Sequence, residues 1–441
     1  MIKFLRRIAI ITLLILMTVP TQLVFAVGDF STISLVPSSN PVLGCRSNGI
    51  LQTNSTVIRQ RDIDAALALG RPYIIWNPGL YCLGENIRVR QTGVPDHESV
   101  IVIDDTYLPP PVGSIYIRPL GAVTAKNIPS IEIGNKTVSR SQDIFVSSTE
   151  SFVYPIFDFS LDLNGFAIEN LSTSSARQSS AIRIEHANPN KVEIYHGTIR
   201  GFLNGIVADG GTIVTRFPSI SIHDLAFTTI RDSAVYFVLV REAILRDNRI
   251  LDSGSAFGLN SIEHAIIERN AISLATNSTN SIFLQQMAIT LFSTDWAEVN
   301  GNTIRLSTQT RGIQYGIYGL SVISSTIHHN TIQNTRVGAG IVFQFGENNL
   351  IQSNQIFSFA SGCGFGMTGA GRGIVVNDQL NIGVRENTLM GPFAAAIEVL
   401  GNTTGVIERN HLYLSSPASI RNLSSGTVVQ NNDINDSCVA I

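Results

Sequence analysis

Two acidic residues that could share one substrate lie at equivalent places in neighbouring stretches of the chain. Glu263 is followed by His264, and Asp295 is followed by Trp296. A carboxylate and an imidazole held together can act as general acid and base, and hydrolysis of a glycosidic bond uses two carboxyl groups about 5–10 Å apart. We therefore predict Glu263, His264 and Asp295 as catalytic candidates. The alternative is a chance stack of turn residues beside a locally packed tryptophan.

Two adjacent histidines, His328 and His329, raise the possibility of a metal site. They stand directly before Asn330, at positions where another unit has Arg385 and Glu386. We expect no third ligand to stack beside the histidines. The pattern therefore favours surface residues, and we predict no metal site.

The asparagine that follows the histidines is the fixed residue of a repeat. An aliphatic residue stands three positions before it and another stands two positions after it. Spacings between successive asparagines run from 22 to 33 residues, as in stacked repeat proteins. The intervening β-branched, Gly, Asn and Ser residues indicate strands only. Eight units carry the motif, at Asn248, Asn270, Asn302, Asn330, Asn354, Asn387, Asn410 and Asn432.

A second motif, a small residue followed by an apolar one, precedes seven of the eight asparagines at a constant distance. Ile317, for example, stands 13 positions before Asn330. The same interval separates the asparagine from Val235, Phe257, Ile289, Ile341, Ile374 and Ile397 in the other units. Length variation therefore follows the asparagine, with insertions at 271–288, 303–316 and 355–373 that could wall a groove.

This constant spacing predicts an all-β parallel solenoid with three short strands per coil. Alternation along the strands points the aliphatic residues inward. We expect each asparagine to occupy a corner, in left-handed geometry, with its amide bonded to the asparagines of adjacent coils. Looser units, with Gly165, Gly197 and Asp224 at the corner, bring the visible coils to about 10–11.

With these features the chain resembles the pectate-lyase-like superfamily of right-handed parallel β-helices. The resemblance rests on a short amphipathic helix in "RDIDAALALG", on "PYIIWNPGLYCL", on "LDLNGFAI" and on the asparagine repeat, and it covers roughly residues 60–436. It implies an asparagine ladder between the second and third strands of each coil and a sugar-binding face on the first. Members include polysaccharide lyases, hydrolases, epimerases, adhesins and proteins with no known reaction.

The outer face of the first strands supplies the predicted substrate-binding residues. Aromatic rings can stack on sugars, and amides can bond sugar hydroxyls. Arg372, beside the longest insertion, could bind an acidic sugar. The alternative is a row of ordinary solvent-facing residues. Besides Arg372, the predicted substrate-binding residues are Tyr236, Asn260, Phe292, Tyr318, Gln344, Asn377 and Glu398.

The catalytic residues that the resemblance would imply are missing. The Asp pair, Gly-His-Gly and Arg-x-Lys of polygalacturonase-type relatives are absent. Calcium-dependent lyases need several acidic ligands, whereas this face offers Glu398 and, near it, Asp378. We therefore predict no cofactor, and calcium has no support. A copper-handling β-helix is disfavoured because the 5 Met, 8 His and 4 Cys do not cluster.

The function expected from these observations is association with a polysaccharide. One form is a lyase, hydrolase or epimerase acting in a groove on the outer face of one sheet. The other is a non-catalytic glycan-binding, adhesive or structural surface β-helix. The residues leave open whether the protein is an enzyme.

The N-terminal residues have the pattern of an export signal. A basic start, "MIKFLRR", precedes the apolar "IAIITLLILMTV" and the small-residue site "VFA". We predict a signal peptide at 1–26, an N-terminal cap with first irregular coils at 27–160, and the β-helix at 161–441. The expected location is secreted, periplasmic or at the cell surface, with no membrane span after signal removal.

Charge and cysteine content limit the partners. The net charge is −3 with no basic run in the mature chain, which argues against a nucleic-acid partner. The four cysteines allow three connectivities, of which Cys45–Cys82 with Cys363–Cys438 is the most local. No plug follows the last repeat, so Cys438 or another subunit could cover that end.

Overall fold

The structure is a computed structural model. The signal segment, Cys363, Cys438 and much of the insertions lie outside the residues that it describes. Those residues are 45–47, 50–51, 55–69, 71–77, 79–89, 99–104, 131–133, 136–138, 158–171, 180–185, 191–209, 217–274, 285–307, 313–333, 338–358, 371–413 and 419–435.

The chain winds into a parallel β-helix in which each coil adds one strand to each of three faces. The first strands of the coils form sheet I, which contains twelve parallel strands. Ten of these strands lie at or after Ser180, and two precede it. The predicted all-β parallel fold is confirmed. The strands of sheet I are Tyr73–Ile75, Ile101–Ile103, Ser180–Ile184, Asn204–Ala208, Ser233–Val238, Ser255–Asn260, Gln285–Phe292, Ile313–Leu320, Gly338–Gln344, Arg372–Asn377, Ala395–Leu400 and Ile420–Asn422.

The second and third strands form sheets II and III. Two long strands, Lys191–Arg200 and Phe217–Thr228, turn the corner between the sheets and belong to both. The other strands of sheet II are Ser55–Ile58, Gly79–Leu83, Asp158–Asp162, Val240–Arg246, His264–Glu268, Trp296–Asn300, Thr326–His328, Leu350–Gln352, Ile382–Arg385, Thr404–Glu408 and Gly426–Gln430. Those of sheet III are Ile87–Val89, Ala167–Asn170, Arg249–Ser253, Ala271–Leu274, Thr303–Arg305, Thr331–Gln333, Gln355–Phe357, Thr388–Met390, His411–Tyr413 and Asp433–Asn435.

The core consists of aliphatic columns that run along the solenoid. The aliphatic residues 13 positions before seven of the eight asparagines pair in register from coil to coil and are buried, as the constant spacing predicts. In the last coil the aligned residue is Ile420, 12 positions before Asn432. The small residue before each one has a steric cause. A Cβ added to Gly316 would lie 2.8 Å from Ile332 Cγ2 and 2.5 Å from the Gly340 carbonyl oxygen. Even an alanine at Gly316 would therefore require its neighbours to shift, whereas other coils have room for Ala234, Ala256, Ala288 and Ala396 at the equivalent position.

The asparagine ladder is present from Asn248 to Asn432. Each Nδ2 donates to the Oδ1 of the next asparagine over 2.9–3.1 Å. That Oδ1 also accepts the backbone N–H of the preceding asparagine, as Asn330 accepts from Asn302 at 3.0 Å. The second amide hydrogen goes to a backbone carbonyl of the preceding coil, for example from Asn330 to Val299 at 2.8 Å. The hydrogen-bonding groups of each internal asparagine amide are therefore all satisfied at a buried corner.

The prediction that the asparagine itself is left-handed was wrong. The left-handed residue is the one before it, with φ between 53° and 63° at Asp247, Arg269, Gly301, His329, Ser353, Glu386, Arg409 and Asn431. The turn is made at that position, which swings the asparagine side chain into the interior. Asp224 and Gly165 are left-handed too. In the strand register, however, Leu225 and Phe166 stand opposite the ladder position.

The N-terminal end is covered by an α-helix, Gln60–Ala68, as the sequence predicts. Its apolar face buries Ile63 and Ala66 on the end of the core. A disulfide joins Cys45 and Cys82, in agreement with the local pairing. The stretch expected to be irregular contains two strands of the coil, at 87–89 and 101–103. The division between cap and β-helix at residue 160 stays a prediction.

Two short antiparallel pairs complete the described elements. Arg46–Ser47 pairs with Ile50–Leu51, and Ile131–Ile133 pairs with Lys136–Val138.

Candidate functional site

The outer face of sheet I aligns the predicted substrate-binding residues other than Arg372 in two columns. In the first, Tyr236, Gly258, Thr290, Tyr318, Val342, Val375 and Glu398 stand opposite one another in successive strands. In the second, the same register aligns Asn260, Phe292, Leu320, Gln344, Asn377 and Leu400. Sequence spacing therefore placed these residues correctly relative to one another.

The middle of this face is an aromatic cluster. The ring of Tyr318 lies 5.5 Å from that of Tyr315 and 6.0 Å from that of Phe292, measured between centroids. Its hydroxyl donates to Gln344 Oε1 at 3.3 Å. Burial raises the pKa of Tyr318, so the hydroxyl stays a neutral donor. The tyrosines pack on a small apolar floor that includes Val342.

Tyr236 lies two strands away from this cluster and is 37% exposed. Its neighbour in the next coil is Gly258, where an added Cβ would be 2.9 Å from Tyr236 Cδ2. The absence of a side chain at Gly258 lets the tyrosine ring lean along the sheet. The Tyr236 side chain hydrogen-bonds the Asn260 side chain, and an aromatic ring beside an amide is a combination suited to a sugar.

The C-terminal part of the same face is charged. Arg372 Nε lies 2.5 Å from Glu398 Oε2, and Arg421 Nη1 lies 3.1 Å from Glu398 Oε1. Glu398 is only 3% exposed, whereas both arginine side chains are about half exposed. Glu398, predicted from the sequence as a substrate-binding residue, is therefore ion-paired with two guanidinium groups. The excess of one positive charge leaves the outward surface positive.

The catalytic candidates lie at the turn from sheet I to sheet II. The Trp296 N–H donates to the Glu263 carbonyl at 3.0 Å, so the backbones that carry Glu263 and Asp295 are neighbours at roughly one strand spacing of about 4.8 Å. His264 and Trp296 meet edge to face at 5.9 Å between ring centroids. Glu263 has an ion pair with Arg241 at 3.6 Å. The structure therefore brings the three candidates to one stretch of surface.

Two other acidic residues, Glu347 and Asp378, are not neighbours of this pair. Glu347 is separated from Asp295 by the coil that contains Ile323, which pairs with Glu347. Asp378 accepts the backbone N–H of Asn402 at 2.9 Å and so braces a turn. Neither residue adds a third carboxylate to the Glu263–Asp295 site.

Sequence reasoning missed a histidine–carboxylate cluster on sheet II. His223 Nε2 lies 3.2 Å from Glu193 Oε1 of the preceding coil, and its Nδ1 lies 2.8 Å from Asp224 Oδ2. The ring of Tyr195 stacks on His223 at 5.1 Å. The hydrogen bond from His223 lowers the pKa of Glu193 to about 2, and the same bond raises the pKa of His223. The sequence did contain a signal for this cluster. Glu193 aligns with Ser221 of the next coil, and His223 stands two positions after Ser221.

His328 repeats this geometry. Its Nε2 lies 3.3 Å from Glu298 Oε1, and its Nδ1 lies 2.8 Å from Nδ1 of His329. A carboxylate, Glu298, therefore lies beside the histidine pair. Glu298 contacts the opposite ring nitrogen from the one that faces His329, so the three groups do not converge on one point.

The described residues contain neither a metal-ligand cluster nor a membrane-spanning helix. Within these ranges, no group of three or more His, Cys, Asp or Glu side chains is arranged to hold a metal ion. No helix of the described part of the chain has the length and apolar character needed to cross a membrane.

Residues 296–434 match the family described as "Right handed beta helix region". The matched segment runs from the Trp296 strand of sheet II through the last strand of sheet III, and it contains most of the asparagine ladder. No curated protein and no solved structure matches the chain.

Proposed function

Because the chain is a right-handed parallel β-helix with a β-helix family match over 296–434, we propose that it binds a polysaccharide along the outer face of sheet I. The observation that carries the proposal is the column of Tyr236, Tyr318 and neighbouring amides held in register by the coils. A chain of sugar rings is a repeating ligand, and a solenoid offers a repeating surface. The ligand would lie across several coils.

Binding without turnover is the form that the side chains support best. The Glu398 carboxylate is neutralised by Arg372 and Arg421, and Asp378 braces a turn. The face that carries the aromatic rings therefore lacks a pair of available carboxyl groups among its described residues, whereas glycoside hydrolysis needs two. Rings and amides suffice for recognition.

The test is affinity for a panel of neutral and uronate polysaccharides, measured by affinity electrophoresis and titration calorimetry. We expect Tyr318→Ala and Tyr236→Ala each to weaken binding by about tenfold, because one lost stacking contact is worth roughly 1.4 kcal/mol. Tyr413→Ala is the matched control, since Tyr413 is a half-buried tyrosine on sheet III. Equal losses in all three variants would sink the proposal.

A second candidate function is polysaccharide cleavage at the turn between sheets I and II. The observation that favours it is the placement of Glu263 and Asp295 on adjacent strands with His264 packed against Trp296. One carboxyl group would protonate the leaving oxygen, and the other would attack the sugar or activate water.

This candidate has its own assay. The same polysaccharides are incubated with the protein, while unsaturated products and new reducing ends are monitored. We expect Glu263→Gln and Asp295→Asn to abolish any activity without changing polysaccharide affinity. Activity that survives both substitutions would exclude this site, and absence of activity on the whole panel would leave the binding proposal standing alone.

We also infer that the protein is exported. The signal-like N-terminus supports this location, and the Cys45–Cys82 disulfide is compatible with an oxidising compartment. Localisation of a tagged full-length chain, with the start of the mature protein determined by N-terminal sequencing, tests it. Cleavage after Ala26 is the expected result.

A further inference from the structure

The corner that carries the asparagine ladder brings two consecutive side chains to the same side of the chain. Neighbours in a regular strand point to opposite faces, but the residue before each ladder asparagine is left-handed, with φ of 53° at His329. Two other coils show the effect. Arg269 Nη1 lies 2.9 Å from Glu268 Oε2, and Arg409 Nη2 lies 3.3 Å from Glu408 Oε1. This corner therefore presents the last residue of the sheet II strand and the turn residue as a pair.

In one coil this pair consists of two histidines. His328 Nδ1 and His329 Nδ1 lie 2.8 Å apart, with the two rings edge to face. His329 is exposed and His328 is partly exposed, so the pair lies at the surface of the molecule. The backbone beneath it is fixed, because His328 ends the strand Thr326–His328 and its carbonyl accepts the Asn330 side-chain amide at 3.0 Å. The fold therefore holds two imidazole nitrogens close together in a defined position.

The separation of the two nitrogens fits a single metal ion. Imidazole nitrogens bind divalent transition metals at about 2.0–2.1 Å. Two such bonds at the right angle of a square-planar or tetragonal complex place the nitrogens about 2.8–3.0 Å apart, whereas the tetrahedral angle preferred by zinc places them about 3.3–3.4 Å apart. The observed 2.8 Å matches the first arrangement. Tetragonal nitrogen sites are typical of Cu²⁺ and Ni²⁺.

A neighbouring carboxylate leaves the required lone pair on His328. Glu298 Oε1, on the preceding coil, lies 3.3 Å from His328 Nε2. An ionised carboxylate only accepts hydrogen bonds, so Nε2 carries the hydrogen and the neutral imidazole keeps its lone pair on Nδ1. A metal-bound histidine commonly donates its other N–H to a carboxylate in this way.

The surroundings of His329 leave space for water on a bound ion. The residue at the same place in the preceding coil is Gly301, where an added Cβ would meet no atom outside its chain neighbours closer than Arg269 Cγ at 3.8 Å. In the next coil the place is taken by the small Ser353. The described residues offer no third His, Cys, Asp or Glu ligand, but two imidazoles form a chelate, and water can complete the coordination of such an ion.

We propose that His328 and His329 chelate one Cu²⁺ or Ni²⁺ ion through their Nδ1 atoms. The site lies at the corner between sheets II and III, outside the polysaccharide face proposed on sheet I, so either proposal can fail without the other. It uses imidazole ligands alone and does not depend on clustered thiolate or thioether groups. The alternative for the same geometry is a hydrogen bond between the rings, in which one Nδ1 donates to the other and no metal binds.

The test is titration calorimetry of the protein, without an affinity tag, against Ni²⁺ and Cu²⁺. We expect His328→Gln and His329→Gln each to weaken binding by at least about a hundredfold, because a chelate becomes a single ligand. His411→Gln is the matched control, since His411 is a half-exposed histidine on sheet III that lies 3.5 Å from the carboxylate of Asp433. It should bind both ions as the wild type does.

A second measurement does not depend on the variants. The electron paramagnetic resonance spectrum of the wild-type protein with one equivalent of Cu²⁺ should be axial and show coupling to imidazole nitrogen. A spectrum without that coupling overturns the proposal. So does a wild-type protein that binds neither ion, which leaves the hydrogen bond between the rings as the explanation of the geometry. Binding that survives both histidine substitutions, or that falls equally in His411→Gln, places the ion elsewhere and also overturns it.

Discussion

Removing one internal rung of the asparagine ladder should destabilise the protein strongly. Asn330 is fully buried. Its Oδ1 accepts from the backbone and the side chain of Asn302 at 3.0 and 2.9 Å, and its Nδ2 donates to the Val299 carbonyl at 2.8 Å. In Asn330→Ala the Asn302 backbone N–H, one amide hydrogen of Asn302 and the Val299 carbonyl lose these buried bonds, and Asn354 Oδ1 loses one of its two donors. A buried unsatisfied group costs about 1–3 kcal/mol, and such costs are not additive, so we expect a loss of about 3–5 kcal/mol.

The assay is urea unfolding followed by far-UV circular dichroism, with the midpoint as the main readout because stacked repeats can unfold in parts. Asn432→Ala is the matched control. Asn432 makes the same kind of bonds to Asn410 and Ile407, but at the open end water can replace the lost amide. We expect a cost there of about 1 kcal/mol. Equal midpoint shifts for the two variants would refute the view that burial makes the ladder strong.

Three further outcomes are expected from unfolding measurements. Gly316→Val should cost about 1–3 kcal/mol, because its side chain would overlap Ile332; an unchanged midpoint would mean that this corner can relax. The free-energy difference between wild type and His223→Gln should be largest between pH 4.5 and 6.5, the ordinary pKa values of Glu193 and His223. It should shrink as the pH falls through the lowered pKa of Glu193 or rises through the raised pKa of His223, and a flat difference would contradict the pairing. Glu398→Gln should cost about 1–2 kcal/mol, since the arginines it leaves behind are half exposed and can rehydrate; a stabilised variant would show that the buried carboxylate is a burden.

Much of the fold could be predicted because a solenoid repeats its packing. The interval of 13 residues between Ile317 and Asn330 recurs in neighbouring coils, so these coils turn the corner at the same point. Counting back from the asparagines therefore aligns their strands. The outward columns of sheet I follow from the same count. The helix over Gln60–Ala68 was visible because its apolar residues recur with helical spacing.

Other features depend on contacts between coils that spacing does not reveal. A second polar column joins Ser325, Asn349, Gln379 and Thr403 through bonds of 3.0–3.3 Å. Its members differ in type and in distance from the asparagine, so no motif marks them. The left-handed residue before each asparagine is equally hidden, since Arg, Ser, Glu and His all occupy it. The site depends on side-chain pairs such as Arg372 with Glu398, which lie 26 positions apart on the sheet I strands of adjacent coils.

The most direct test of the functional account is a hydroxyl-radical footprint of the protein with and without a polysaccharide that it binds. We predict protection of Tyr236, Phe292 and Tyr318 on sheet I, with no change at Tyr195 on sheet II or Tyr413 on sheet III. Protection confined to sheets II and III, with the sheet I rings as reactive as in the free protein, would contradict the account.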